Sequence, residues 1–244
     1  MGQIATWPAE GATAAKTINP VEGIMPTQYT LRVNNDSALA GNICVYQTFD
    51  EQKTMANLFS LAWFSKGCNP RTQVKFAWSI DYAFCWSETG KLVPGVTFDA
   101  SGILSADPSL IGPNSTGFTH NDFGYQFIPP TTETAPVGTL GIFTDKTVPV
   151  NKAAVGIAMS GSPSLAVQAG PNLDFTFVPH PRYWLCFGQY IEGAVIDLNQ
   201  ITHVQEIQFG PSEYAMYATL QADNTWKVDN AVGYNKMICD SYTK

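Results

Sequence analysis

Charged side chains are scarce in this 244-residue chain: Asp, Glu, Lys and Arg make up 14% of it, against roughly 25% in ordinary soluble domains. Basic residues are the rarest part, with 13 Lys and Arg against 20 Asp and Glu and a formal charge of −7. Nucleic acids and anionic membrane surfaces are recognised through clustered Lys and Arg, so neither is expected as a partner. No stretch is apolar for the roughly 18 residues a membrane-spanning helix needs, and none is predicted. The five cysteines are odd in number, scattered and without a CxxC pair, which fits reduced thiols rather than a disulfide framework. Histidine occurs three times, at His120, His180 and His203, in neither HExxH nor HxH spacing, so no local metal site is predicted. A P-loop, a GxGxxG fingerprint and an EF-hand loop are also missing, and no cofactor is expected.

Against these absences stand 14 Phe, 10 Tyr, 6 Trp and 45% hydrophobic residues, which lift the chain out of the disordered class and predict a compact aromatic core. Residues 1–10 show neither a basic n-region nor an apolar h-region, so no secretory signal is read there and a cytoplasmic location is expected, with release by a non-classical route left open.

From Gln28 onward period-two hydrophobicity dominates. Within Gln73–Ile80 the residues Val74, Phe76, Trp78 and Ile80 alternate with Gln73, Lys75, Ala77 and Ser79, the pattern of a half-buried strand. Similar short runs recur to Val228, separated by turn chemistry such as Asn34-Asn35-Asp36, Ser160-Gly161-Ser162-Pro163 and Asp223-Asn224. The expected fold is all-β: a single antiparallel β-sandwich, jelly-roll or Ig-like, over residues 28–229. Long Pro- and Gly-rich loops are expected at 99–139, an extended N-terminal arm at 1–27 and a weakly patterned tail at 230–244. Only Met55–Phe64 has the apolar content of a helix.

The arm carries Ile4, Trp7, Ile18, Val21 and Ile24 between prolines. These are the candidate subunit contacts, because an extended segment can add to a neighbouring copy's sheet edge while its side chains fill pockets. For catalysis the residues offer little. Ser160-Gly161-Ser162 leads into Pro163 and another strand, whereas a nucleophile elbow needs strand, turn and helix. Cys68, between Lys66 and Arg71, reads as the most exposed thiol but has no histidine nearby in sequence. Asp81, Glu88, Asp99, Glu192 and Asp197 fall at strand ends and could pair across a cleft for glycoside chemistry. Trp63, Trp78, Trp86 and Trp184 could stack on a sugar in a lectin-like module, although their apolar neighbours favour core packing for most of them.

Three stretches carry a resemblance to a known family. These are Tyr29-Thr30-Leu31-Arg32-Val33-Asn34-Asn35-Asp36-Ser37 with Val45-Tyr46-Gln47, then Trp86-Ser87-Glu88-Thr89-Gly90-Lys91-Leu92-Val93-Pro94-Gly95 with the residues before it from Leu61, and Ala218–Val228. Together they resemble the rhizosphere-expressed RhiA family, with a looser likeness to PixA/AidA-type inclusion-body proteins. The resemblance implies an abundant, quorum-sensing-regulated cytoplasmic bacterial protein with no catalytic mechanism. The looser likeness implies self-association. The leading expectation is therefore a non-enzymatic, self-assembling homo-oligomer, with a glycan-binding module and a paired-acid hydrolase as alternatives.

Overall fold

The computed structural model describes residues 27–49, 57–130 and 134–242, with side chains through residue 236. Its strands are β1 (Gln28–Asn35), β2 (Gly41–Thr48), β3 (Leu58–Ser60), β4 (Ala62–Cys68), β5 (Thr72–Ser79) and β6 (Tyr82–Ser87). They continue as β7 (Gly102–Ala106), β8 (Ser115–Asn121), β9 (Gly124–Ile128), β10 (Leu140–Thr144), β11 (Ala154–Met159) and β12 (Ser162–Gln168). The last are β13 (Asp174–Phe177), β14 (Arg182–Gly188), β15 (Gln205–Ile207), β16 (Ala215–Leu220) and β17 (Trp226–Asn230), followed by a helix, α1 (Ala231–Tyr242).

Four sheets result: β17-β16-β1-β5 (sheet I), β15-β14-β2-β4 (sheet II), β3-β12-β11-β6-β7 (sheet III) and β13-β10-β8-β9 (sheet IV). The all-β expectation is met, but the buried side chains divide into two main cores rather than the one a single sandwich would have. Leu31, Val33, Phe76, Trp78 and Leu220 of sheet I meet Ile43, Val45, Trp63, Tyr183 and Leu185 of sheet II. Phe84, Val155, Ile157 and Leu165 of sheet III meet Phe118, Leu140, Ile142, Phe175 and Phe177 of sheet IV. Pairing is mixed, since β1 runs parallel to β16 and β8 parallel to β10.

The outer faces of the two middle sheets are covered as well. Leu92, Phe98 and Val195 lie on sheet III against Cys85, Ala154 and Ala158, while Ile196, Tyr190 and Ala194 cover Cys44, Tyr46 and Cys186 on sheet II. Burial on both faces explains why β11 reads AVGIAM, a continuous apolar run, whereas β5 alternates. The same cause corrects the helical reading of Met55–Phe64. Its described part runs through β3 into β4, crossing from sheet III to sheet II at the fully buried Leu61. Trp63 Nε1 then donates to the Met159 carbonyl at 2.9 Å and ties the two sandwiches together.

Two further corrections concern loops. The 99–139 stretch holds β7, β8 and β9. Strand β8, with Ser115, Thr116 and Thr119, is polar yet buried because each hydroxyl is bonded. Ser115 Oγ accepts from Ala135 N at 2.7 Å, Thr116 Oγ1 donates to Ile128 O at 3.2 Å and Thr119 Oγ1 meets Thr147 Oγ1 at 3.1 Å. At the C-terminal end, Asn230 Oδ1 accepts from Gly233 N at 2.9 Å, an N-cap that opens α1. Tyr234 then stacks on Tyr217 with ring centroids 4.0 Å apart, docking the helix on sheet I.

Candidate functional site

At one end of the first sandwich, where the chain passes towards the second, a cleft of about 660 Å3 opens. Sheet I brings Tyr29 to it, the β5–β6 corner brings Ile80 and Tyr82, and Phe209 follows β15. Sheet II supplies Arg182, Tyr183 and Glu206, and the crossover Pro179-His180-Pro181 forms a rim. The two prolines fix the φ angles on either side of His180, and His180 N donates to Val178 O at 2.8 Å, a tight turn that keeps the imidazole exposed.

The floor is aromatic. Trp78, fully buried, sits behind it with Tyr183 at 5.2 Å and Phe209 at 5.7 Å between ring centroids, and Tyr29 meets Phe209 edge to face at 5.0 Å. Such pairs stiffen the cleft wall, each by roughly 0.5–1.5 kcal/mol beyond area burial. Three buried polar atoms in this region have no hydrogen-bond partner of good geometry among the described residues: Tyr183 Oη, Trp78 Nε1 and Gln47 Oε1. Gln47 is the cross-strand partner of Tyr183, so both side chains project from the same face of sheet II. Burial pushes the Tyr183 hydroxyl up to about 12, with the facing Trp78 N–H pulling weakly the other way. Burial likewise raises Tyr82, whose hydroxyl donates to Pro179 O at 3.4 Å. Both phenols are therefore neutral donors at physiological pH.

The cleft's only charged side chains among the described residues, Arg182 and Glu206, pair with each other at 3.0 Å. The arrangement presents aromatic faces, neutral hydroxyls and a self-neutralised ion pair. It contains neither a nucleophile beside a base nor two facing acids.

The sequence model of the RhiA family matches residues 26–231. Protein RhiA of Rhizobium leguminosarum bv. viciae is 40% identical over 211 residues, covering 84% of this chain and 87% of that protein. The chain belongs to the RhiA family. No solved structure matches it. The family match runs from just before β1 to the first residue of α1 and so takes in all four sheets and the cleft.

In this RhiA-family chain the Trp86–Gly95 stretch runs from the end of β6 onto the outer face of sheet III. Gln168 pins it there by accepting from Leu92 N at 2.6 Å and donating to Gly90 O at 3.0 Å. Glu88, Thr89 and Gly90 edge a second depression of about 580 Å3 with His120, Tyr125, Pro149 and Lys152. His120 leans on Tyr125 at 4.4 Å.

Of the tryptophans singled out for stacking, Trp63 and Trp78 are fully buried and unavailable to a ligand. Trp86 is half-buried against Phe118 and Tyr125, and Trp184 is half-buried with its Nε1 donating to Thr48 Oγ1 at 2.8 Å. None of the four lines the cleft. Cys68 is buried rather than exposed, because it closes the end of β4 with its sulfur 3.4 Å from Thr72 Oγ1. Ser160 and Gly161 form the tight β11–β12 turn with φ of 52° and 77°, as the hairpin reading of that segment requires. His203 is exposed, with Nδ1 3.2 Å from Asn224 O. The acids Asp81, Glu88, Asp99, Glu192 and Asp197 do not line the cleft, and no group of three or more His, Cys, Asp or Glu gathers anywhere among the described residues. Ile4, Trp7, Ile18, Val21 and Ile24 lie outside the described residues.

The side chains sequence reasoning missed are Tyr29, Tyr82, Tyr183 and Phe209. Only Tyr183 had a local signal: the two prolines of Val178-Pro179-His180-Pro181-Arg182-Tyr183 mark a rigid crossover that delivers an aromatic next to a cation.

Proposed function

We propose that this protein is a non-enzymatic binding protein whose cleft takes a neutral, saccharide-sized ligand with one apolar ring face. The observation that supports this reading is the convergence of Tyr29, Tyr82, Tyr183 and Phe209 on one concave surface. A cleft of about 660 Å3 falls within the range of small-molecule sites, which combine apolar walls with a few polar groups. The self-paired Arg182 and Glu206 leave no net charge to attract an ionised ligand, whereas a sugar's C–H face suits the aromatic rings and its hydroxyls suit Gln208 and His180. Glycoside hydrolysis needs two carboxyl groups across the ligand, and the cleft holds only Glu206, already bonded to Arg182.

A screen of neutral mono- and disaccharides on a glycan array, followed by isothermal titration of the strongest binder, tests the reading. Binding that weakens at least tenfold in Tyr29→Ala supports it. Absence of binding to every saccharide, or binding indifferent to Tyr29→Ala, overturns it.

A further inference from the structure

Strands β2 and β14 are the middle pair of sheet II and run antiparallel to each other. In their register Cys44 stands directly opposite Cys186, and directly opposed residues project from the same face of a sheet. Both thiols are free and fully buried, in one cluster on the outer face with Tyr46, Ala62 and Ile196. The other cysteines whose side chains are described meet no second sulfur across the ladder. Cys85 faces Gly156 and Ile103, and Cys68 faces Gly41. A hydrogen bond between the two side chains holds the Cys44 thiol well above its usual range, and burial pushes it further the same way. The two sulfurs are therefore neighbours.

Their backbone placement suits a covalent bond. Opposed residues of an antiparallel pair have Cα atoms about 4.5 or 5.5 Å apart, according to their place in the ladder, and disulfides span Cα separations of about 4.4–6.8 Å. Closing the bond needs side-chain rotation and no change of register. A reagent reaches the pair only past the segment 190–201, which covers it with Tyr190, Ala194 and Ile196. Hydrogen bonds hold this cover down: Tyr190 O accepts from Asn42 Nδ2 at 2.7 Å and from Ser65 Oγ at 2.6 Å, and Ala194 O accepts from Ala62 N at 2.8 Å. Local opening of one surface segment costs less than unfolding the whole chain, so the thiols react at the rate at which the cover lifts.

We propose that Cys44 and Cys186 form an oxidisable dithiol, which a low-molecular-weight disulfide converts into an intramolecular Sγ–Sγ bond stapling β2 to β14. One sulfur, its proton given to solvent, attacks the small disulfide, forms a mixed disulfide and expels one small thiolate. The second sulfur, likewise deprotonated, attacks the protein sulfur of that mixed disulfide and expels the other. The cysteine pair loses two electrons and the small disulfide gains them, while the two protons end on the expelled thiolates. All strands of sheets III and IV lie between the two cysteines in the chain. The bond therefore closes a loop around the whole second sandwich, and long closed loops restrict the unfolded chain most. Tyr183 packs in the core on the opposite face of sheet II, so this inference is independent of the ligand reading.

Oxidised glutathione, added to the full chain in buffer and in urea below the unfolding transition, tests it, read by alkylation under denaturing conditions and peptide mass mapping. The expected product has Cys44 joined to Cys186, two fewer alkylated thiols and no link between chains. Its Tm is expected to rise by roughly 5 °C or more, and dithiothreitol is expected to reverse the change. Cys186→Ala is expected to lose both the cross-link and the Tm rise. Absence of a Cys44–Cys186 bond in both conditions overturns the proposal. So does glutathione left on either sulfur without a cross-link, or a bond from either to Cys68, Cys85 or Cys239 in its place. A cross-linked chain whose Tm does not rise overturns the staple. Should Cys186→Ala fail to fold, the wild-type mapping, which needs no variant, decides.

Discussion

Tyr183→Phe removes one oxygen from the base of the cleft and separates its structural contribution from its functional one. The side chain is 9% exposed, its ring packs against Trp63 at 6.2 Å and Trp78 at 5.2 Å, and the change keeps all of that packing. The hydroxyl itself has no well-formed hydrogen bond among the described residues. A buried polar group without a partner costs about 1–3 kcal/mol, whereas a typical satisfied one contributes only about 0.5–1.5. Deleting this hydroxyl should therefore recover part of the desolvation cost, less the weak attraction of the Trp78 N–H. Net stability is expected to stay level or rise by about 1 kcal/mol, a Tm increase of roughly 2–4 °C for a chain of this size. Because the hydroxyl is closed off from solvent, saccharide affinity is expected to change by less than about threefold. Urea unfolding followed by tryptophan fluorescence reads the first quantity and isothermal titration the second. A loss of stability beyond about 1.5 kcal/mol would show that the hydroxyl holds the fold together, and the reasoning for a hydroxyl without a well-formed bond would fail.

Gly156→Ala should destabilise strongly, because a Cβ there would lie 2.0 Å from the Leu165 carbonyl oxygen and 2.9 Å from Ala166 Cα, main-chain atoms that cannot swing aside. A cost of at least about 2 kcal/mol in urea unfolding is expected, and a change below about 0.5 would contradict the close approach of β11 and β12. Stability should also fall at alkaline pH. Burial raises the phenols of Tyr82 and Tyr183 above their usual value near 10, so the folded chain keeps protons that the unfolded chain releases. Their contribution is complete below about pH 10 and declines as pH climbs towards the folded values. Tyrosinate absorbance should appear together with unfolding, and normal titration of all tyrosines in the folded state would refute it.

Much of the strand order was legible because one or both faces of each strand are covered in a regular way. Strand β5 falls on the alternating run Gln73–Ile80, and β1 opens at Gln28, where the alternation begins. The two-core arrangement was not legible, since Tyr82–Phe177 supplies almost all of the second sandwich without any break in composition. Strand β8 escaped because its burial rests on hydroxyl hydrogen bonds rather than apolar residues. Helix α1 escaped because the residues after Val228 are weakly patterned, and the Asn230 cap shows only in the structure. The cleft depends on Tyr29, Tyr82, Tyr183 and Phe209, which only the crossover between the sandwiches brings together. The expectation that most tryptophans serve the core fits Trp63 and Trp78, and the ring faces lining the cleft are those of tyrosine and phenylalanine instead.

Isothermal titration of the wild-type chain and Tyr29→Ala with a neutral saccharide selected on a glycan array tests the central claim most directly. Saturable one-site binding by the wild type, weakened at least tenfold by the substitution with far-UV circular dichroism unchanged, is the result expected. No saccharide binding, or equal binding by both proteins, would contradict it.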